Sequence, residues 1–150
     1  MELLKGGQLT QLIKKRKRNN EMFTDEEGAN IIKCILQAVD YLHSNNIVHR
    51  DLKPDNILVG DPNDLTTIKV ADFGLSAKYE HSSFTELDRQ VGTLIFMSPE
   101  LVLKKQYSRS VDIFATGVIM YMLLTGGSHP LYNSRDFSAE KYKKELLSLN

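Results

Sequence analysis

The chain has a single cysteine, Cys34, so it can form no disulfide within itself, and such usage suits a reducing compartment. It has no excess of either charge: 19 Lys and Arg balance 19 Asp and Glu, for a formal net charge of zero. No global imbalance therefore points to nucleic acid or to a membrane surface. No apolar run is long enough to span a bilayer. The longest, Val111 to Leu124, is interrupted by Asp112, Thr116 and Gly117 and reads as a buried helix. The opening Met1-Glu2-Leu3-Leu4-Lys5-Gly6-Gly7 lacks the apolar stretch of a secretory signal. Internal repeats are absent too. These absences predict a cytoplasmic protein, with the nucleus as the alternative, that takes neither a membrane nor a nucleic acid as partner.

What is present suits one globular domain. The 150 residues are 41% hydrophobic and 25% charged, which argues against disorder throughout. A compact domain of this size buries ~68–70% of its unfolded surface. Gly6-Gly7 marks a turn, and Gln8 to Arg18 reads as a helix with Leu9, Leu12 and Ile13 on one side. Its end, Lys14 to Arg18, is a run of five cations. The run reads either as a patch for nuclear import or an acidic partner, or as a solvated helix end favoured by the helix dipole. Thr24-Asp25-Glu26-Glu27 is a capping box. Behind it Gly28, Ile31, Ile32, Ile35, Val39 and Leu42 recur at helical spacing, with Cys34 as a packed thiol beside them. Ser44-Asn45-Asn46 ends this helix.

Ile57-Leu58-Val59 and Ile68-Lys69-Val70 read as strands of a hairpin, joined through the turn residues Gly60-Asp61-Pro62-Asn63-Asp64. Lys78 to Met97 is polar and reads as one long loop, a length usually tied to function. Val111 to Leu124 is apolar on most sides and so central, and Gly126-Gly127 stops it. Ser138 to Leu147 reads as a last helix whose Tyr142, Leu146 and Leu147 find no partner in the chain.

The chemistry concentrates in His49-Arg50-Asp51-Leu52-Lys53-Pro54-Asp55-Asn56 and in Asp72-Phe73-Gly74. Moving a terminal phosphoryl group requires metal to gather negative charge, a cation on the moving group, and a group that orients the hydroxyl and takes its proton. Asp51 suits the last task. Lys53, two residues on in an extended loop, falls on the same side. Asn56 and Asp72 offer the hard oxygens that suit Mg²⁺. Asn56 precedes the first strand of the hairpin and Asp72 follows the second, so the hairpin brings them to one edge.

These motifs resemble those of eukaryotic-type protein kinases, and the resemblance covers essentially the whole chain. His49-Arg50-Asp51-Leu52-x-x-x-Asn56 is similar to the family's catalytic-loop signature, and Asp72-Phe73-Gly74 to its metal-binding signature. Ser98-Pro99-Glu100 stands where the family usually has Ala-Pro-Glu. Gly92-Thr93 resembles the loop that receives the substrate residue, and Asp112 the buried acid that holds the catalytic-loop backbone. Glu2 to Gly7 resembles the end of the hinge between two lobes. The resemblance implies an α+β, mainly α fold: a kinase-like C-terminal lobe with a small β-hairpin at the active site and no N-terminal lobe. Residues 1–150 would be a partial kinase domain, from the hinge end through the central helix after the activation loop, without its last helices.

It also implies serine/threonine protein kinase activity with ATP and Mg²⁺, protein substrates as partners, and an upstream kinase acting on the loop. Asp51, Lys53, Asn56 and Thr93 would be catalytic, Asn56 and Asp72 would hold metal, and Glu2, Leu4, Lys53, Asp55, Asn56, Leu58 and Asp72 would meet the nucleotide. Lys53 and Thr93 resemble the serine/threonine class, and Val70-Ala71-Asp72-Phe73-Gly74-Leu75-Ser76-Ala77-Lys78-Tyr79 the calcium/calmodulin-dependent group. Arg50 beside Asp51 suggests control by a loop anion. Ser82, Ser83 and Thr85 are candidates for phosphorylation. Glu86 and Asp88 could supply the charge permanently, since Arg89 stands where relatives carry the modified residue. The alternative is a merely solvated loop. No Gly-x-Gly-x-x-Gly loop and no Val-Ala-Ile-Lys strand occurs. Three functions therefore stand: a kinase seen as part of a longer chain, a truncated inactive binding or decoy module, and a small-molecule kinase.

Overall fold

The structure, a computed structural model, describes residues 5–79, 92–103, 105–132 and 138–148. In chain order it holds α1 (Leu9–Arg18), α2 (Asp25–Ser44), β1 (Ile47–Val48), a 3₁₀ turn at Pro54–Asn56, β2 (Ile57–Asp61), β3 (Asp64–Val70) and β4 (Ala77–Lys78). A second 3₁₀ turn at Leu94–Phe96 precedes α3 (Pro99–Val102), α4 (Ser110–Leu124) and α5 (Ala139–Leu147). The fold is mainly helical with small antiparallel sheets, and among the described residues no helix is long and apolar enough to cross a membrane.

The helix ends follow from local chemistry. Thr24 Oγ1 accepts the Glu27 N–H at 3.2 Å and Glu27 Oε2 accepts the Thr24 N–H at 2.8 Å, closing the expected capping box. Glu27 is used twice: Arg16 forks onto it at 2.6 and 2.7 Å, tying the end of α1 to the start of α2. That guanidinium holds the Glu27 carboxyl below its ordinary value. In the last turn of α1, Lys15, Arg16, Lys17 and Arg18 face the negative end of the helix dipole. After α4, Gly126 and Gly127 take φ of +64° and +84°, the left-handed region that lets glycine reverse the chain.

Helical spacing on α2 buries Ile31, Ile35, Val39 and Leu42. Ile31, Ile35 and Val39 join Leu9 and Ile13 of α1, Val59, Leu65 and Ile68 of the hairpin, and Ala115, Val118, Ile119 and Leu123 of α4 in one core. Cys34 is half-buried beside it, with Sγ donating to the Thr66 carbonyl at 3.3 Å. The β2–β3 hairpin pairs Ile57 with Val70 and Val59 with Ile68. The register slips between Val59 and Asp61, where a Cβ on Gly60 would stand 2.8 Å from the Thr67 carbonyl. The strands run further into the expected turn than their apolar residues suggest, and only Pro62 and Asn63 lie between them.

Three expectations require correction. Lys78 to Met97 is not irregular at its two ends, while residues 80–91 lie outside the described residues. Lys78 pairs with Ile47 and Ala77 with Val48 in a two-residue ribbon, and Leu94–Phe96 is a 3₁₀ turn. A pairing of two residues leaves no periodicity to read. Second, α5 does find its partner. Tyr142 and Leu146 are fully buried against a second core of Val48, Met97, Leu101, Val102, Tyr107 and Val111. Third, α4 is central but not enclosed, since Ile113, Met120, Tyr121 and Leu124 remain 44–49% exposed. An apolar groove of about 760 Å³ runs along that side, between Ala29, Ile32 and Leu36 of α2 and Met120, Leu123 and Leu124 of α4.

Candidate active site

The segment between β1 and the first 3₁₀ turn carries His49, Arg50 and Asp51, and α4 suspends it. Asp112, 1% exposed on the first turn of α4, accepts the His49 N–H through Oδ2 and the Arg50 N–H through Oδ1, both at 2.9 Å. His43, at the end of α2, donates from Nε2 to the same Oδ2 at 2.8 Å. Arg50 has φ of +68°, an uncommon conformation for a residue with a side chain. Gly92 crosses directly over it: a Cβ there would fall 2.5 Å from the Arg50 carbonyl oxygen. The His49 ring is fixed at both nitrogens. Nδ1 accepts the Asp51 N–H at 3.3 Å, so Nε2 carries the proton and donates to the Ala71 carbonyl at 3.0 Å. The Phe73 ring lies 5.2 Å from it.

This strained segment delivers Asp51 into a closed network. Asp51 Oδ1 accepts the Thr93 N–H at 2.9 Å and the Thr93 hydroxyl at 3.0 Å. Its Oδ2 accepts from Lys53 Nζ at 2.7 Å and from Asn56 Nδ2 at 3.1 Å. Lys53 Nζ also donates to Thr93 Oγ1 at 2.9 Å, and Asn56 Nδ2 to the Asp51 carbonyl at 2.8 Å. Extended backbone at Lys53, with φ −161° and ψ 161°, places its side chain beside that of Asp51. Asp51, 7% exposed, is thus a nearly buried carboxylate with a cation and three other N–H or O–H donors around it.

The hairpin closes the metal edge. The Ala71 N–H donates to the Asn56 carbonyl at 2.9 Å, so Asp72 begins one residue beyond Asn56's own partner. Asp72 takes φ of +62° and accepts the Gly74 N–H at 3.2 Å through Oδ1, which fixes the carboxylate at the turn and leaves it exposed. Asn56 directs its amide nitrogen at Asp51, so the oxygen is what its side chain can offer a cation. Among the described residues no three His, Cys, Asp or Glu side chains gather, so a protein cage for metal is not built. One carboxylate and one amide oxygen fit a cation such as Mg²⁺ that keeps water and phosphate oxygens as its other ligands.

Of the other predicted residues, Asp55 is exposed on the 3₁₀ turn, and half-buried Leu58 pairs with Lys69 and bridges to Gln8. Glu2 and Leu4 lie outside the described residues, as do Ser82, Ser83, Thr85, Glu86, Asp88 and Arg89. Among the described residues Arg50 meets neutral oxygens, not an anion: Nε donates to the Leu75 carbonyl at 2.6 Å, and the terminal nitrogens reach the Ser76 carbonyl and the Tyr107 hydroxyl at 3.3 Å. His43 and Tyr107 were not foreseen as parts of the site. Each looks like an ordinary element end in sequence, and only the fold brings it to the loop.

Known proteins bear on this geometry. A family model described as "Protein kinase domain" matches residues 1–149. The chain is 38% identical over 136 residues to calcium/calmodulin-dependent protein kinase type 1 of Macrobrachium nipponense, covering 91% of this chain and 37% of that protein. It is 41% identical over 136 residues to calcium/calmodulin-dependent protein kinase type 1B of Homo sapiens, with the same coverage of 91% and 37%. It is 40% identical over 126 residues to the probable serine/threonine-protein kinase pXi of Dictyostelium discoideum, covering 84% of this chain and 17% of that one. The chain thus spans well under half the length of these relatives. The family model's match across 1–149 and the intact loop network agree: the chain belongs to the protein kinase domain family.

Proposed function

We propose that this chain carries the catalytic-loop part of a serine/threonine protein kinase, the portion of its C-terminal lobe from the hinge end through the central helix after the activation loop. The observation that supports this best is the closed contact of Asp51, Lys53 and Thr93. In this reading an acceptor hydroxyl takes the place of Thr93 Oγ1 as the group that meets Asp51. Asp51 orients that hydroxyl and accepts its proton as the oxygen attacks. Lys53 sits on the same carboxylate and offsets the charge of the transferred phosphoryl. Asn56 and Asp72 would hold Mg²⁺, which when bound gathers the charge of the ATP phosphates. Leu58, Glu2 and Leu4 would line the adenine, and Asp55 and Asn56 the sugar-phosphate side. Thr93 and Lys53 favour a serine or threonine hydroxyl on a protein as acceptor.

A second reading is a binding or decoy module without transfer activity. These 150 residues contain no Gly-x-Gly-x-x-Gly loop and no Val-Ala-Ile-Lys strand, elements that cover the phosphates in this family, so transfer by these residues is the point to test. Phosphoamino-acid analysis of an acceptor protein, in a chain extended to the relatives' length, separates these readings. Phosphoserine or phosphothreonine lost in Asp51→Asn supports the first. Phosphotyrosine alone contradicts the acceptor class, and no transfer favours the module.

A further inference from the structure

The basic run at the end of α1 takes no part in the site above, and the fold divides it. Arg16 turns inward, forking onto Glu27 and lying 4.3 Å over the Phe23 ring. Lys15 and Arg18 are exposed, Arg18 donating from Nε to the Lys14 carbonyl at 3.3 Å. Lys14 and Lys17 stand three residues apart, hence on one face. Together with Thr10, Pro54 and Gly127 they line a hollow of about 210 Å³ over an apolar floor of Ile13 and Met122.

Three features make this hollow a built one. Its lining contains two cations and no acid, and among the described residues neither lysine is paired with a carboxylate. Among the described residues Thr10 Oγ1, buried in the same lining, has no hydrogen bond, an arrangement native proteins seldom leave unanswered. Gly127 forms one wall by close approach: at φ +84°, a Cβ there would fall 2.6 Å from Ile13 Cγ2. The hollow also has an address. Pro54 directly follows Lys53, whose Nζ is 2.7 Å from Asp51. Asp55, on the same turn as Pro54, is exposed and outside the lining.

We propose that this hollow is a subsite for an acidic or phosphorylated side chain of the acceptor protein, gripped by Lys14 and Lys17 while the acceptor hydroxyl lies at Asp51. The proposal rests on the kinase reading and adds the acceptor's chemistry to it. An extended acceptor advances ~3.3 Å per residue, so a side chain a few positions from the hydroxyl passes Pro54. Two lysines give a charged grip without fixed geometry, which suits a carboxylate or a phosphate alike. A nucleic acid would call for a longer basic stripe than two side chains over an apolar floor.

The test is binding, which needs no catalysis. A fluorescein-labelled serine peptide flanked by glutamates is titrated with the 150-residue chain by anisotropy, beside a lysine-flanked counterpart and a phosphoserine-flanked one. The glutamate and phosphoserine peptides should bind more tightly than the lysine peptide, and more weakly as salt rises. K14E/K17E should weaken them about ten-fold, as expected for losing two charge-assisted contacts. K15E/R18E, with the same net charge on the outward side of the helix, should leave binding nearly unchanged, and circular dichroism checks that both pairs keep their helix. Equal loss in the two pairs, no preference for the acidic peptides, or displacement of the peptide by an oligonucleotide at lower concentration than by unlabelled peptide would each overturn the proposal. Binding with the expected pattern but no phosphate transfer from a chain extended to the relatives' length would fail the kinase reading and leave an anionic-peptide site. Transfer without acidic preference would do the reverse.

Discussion

Asp112 and His49 lie 63 positions apart, yet Asp112 Oδ2 accepts the His49 backbone N–H at 2.9 Å in the interior. The same carboxylate takes the Arg50 N–H and the His43 ring N–H, so one side chain satisfies three donors from two elements. An unsatisfied buried donor costs roughly 1–3 kcal/mol. Asp112→Ala should therefore destabilise the fold by at least ~3 kcal/mol, whereas Asp112→Asn, which keeps one acceptor oxygen, should cost less. Urea unfolding midpoints measure both. A loss under ~0.5 kcal/mol for the alanine variant, typical of an indifferent surface site, would mean the loop does not hang on α4.

Ser98 offers a change in the opposite direction. It occupies the position before Pro99 at the start of α3, where a serine usually caps, but its hydroxyl makes no cap bond. At 1% exposure its Oγ has no hydrogen-bond partner among the described residues. Ser98→Ala removes a buried polar atom that gains nothing, and should be neutral or stabilising by up to ~1 kcal/mol. Thermal melts of the two chains decide it. A clear drop in Tm would show that the hydroxyl has a partner.

Much of this was legible before folding. The capping box at Thr24, the spacing of Ile31, Ile35 and Val39, and the turn residues at Pro62-Asn63 act locally, so a short window holds the information. For Asp51, Lys53, Asn56 and Asp72 the sequence carries residue types and spacing that narrow the chemistry; the first three touch in the fold, and the hairpin that bonds Ala71 to Asn56 carries Asp72 to the same edge. What escaped is long-range. The β1–β4 ribbon rests on two residue pairs, and α5 is held by side chains from four other elements. His43 reaches Asp112 across 69 positions and leaves no trace in either neighbourhood.

His129 should make stability depend on pH. Its ring donates from Nε2 to the Ile95 carbonyl at 2.7 Å and accepts the Leu131 N–H at Nδ1 at 3.1 Å, so the fold holds the neutral tautomer. Tyr142, whose hydroxyl also donates to Ile95 and which burial pushes up to about 12, stays neutral beside it. Burial lowers the imidazole below its ordinary value of 6.5, with the Ile95 carbonyl opposing. The unfolded chain then binds more protons than the folded one between the two values. The contribution is fully present above the unfolded value of 6.5, and is lost as pH falls through it to the lower folded value. His129→Gln should flatten that part of the curve of unfolding free energy against pH. An unchanged slope would assign it to another group.

Asp51 and Asp72 should fail differently. In a chain of the relatives' full length, Asp51→Asn removes the positioned base, worth ~10²–10⁴ in rate or roughly 2.7–5.4 kcal/mol. Asp72→Asn weakens the metal edge, so its deficit should shrink as Mg²⁺ is raised, while that of Asp51→Asn persists. Initial rates across a Mg²⁺ series measure both. Rescue of the Asp51 variant with none for the Asp72 variant would reverse the roles.

The 150 residues alone should show negligible transfer from ATP to protein. The argument is positional. Asn56 and Asp72 can offer oxygens to a metal, but such a metal is normally held jointly with nucleotide phosphates. In this chain Asp72 and its neighbour Phe73 are exposed, Phe73 to 47%, so one side of the site stands open to water. Preorganised charge in a water-excluded site is usually the largest catalytic contribution, and no glycine-rich loop is present in the sequence to provide the cover. The exposed apolar groove along α4 adds a second expectation, poor solubility of the isolated chain. Both are measured on purified residues 1–150, with a generic basic and a generic acidic protein as acceptors and light scattering for association. Turnover near the ordinary enzyme median of ~10 s⁻¹, abolished by Asp51→Asn, would show that the uncovered site suffices.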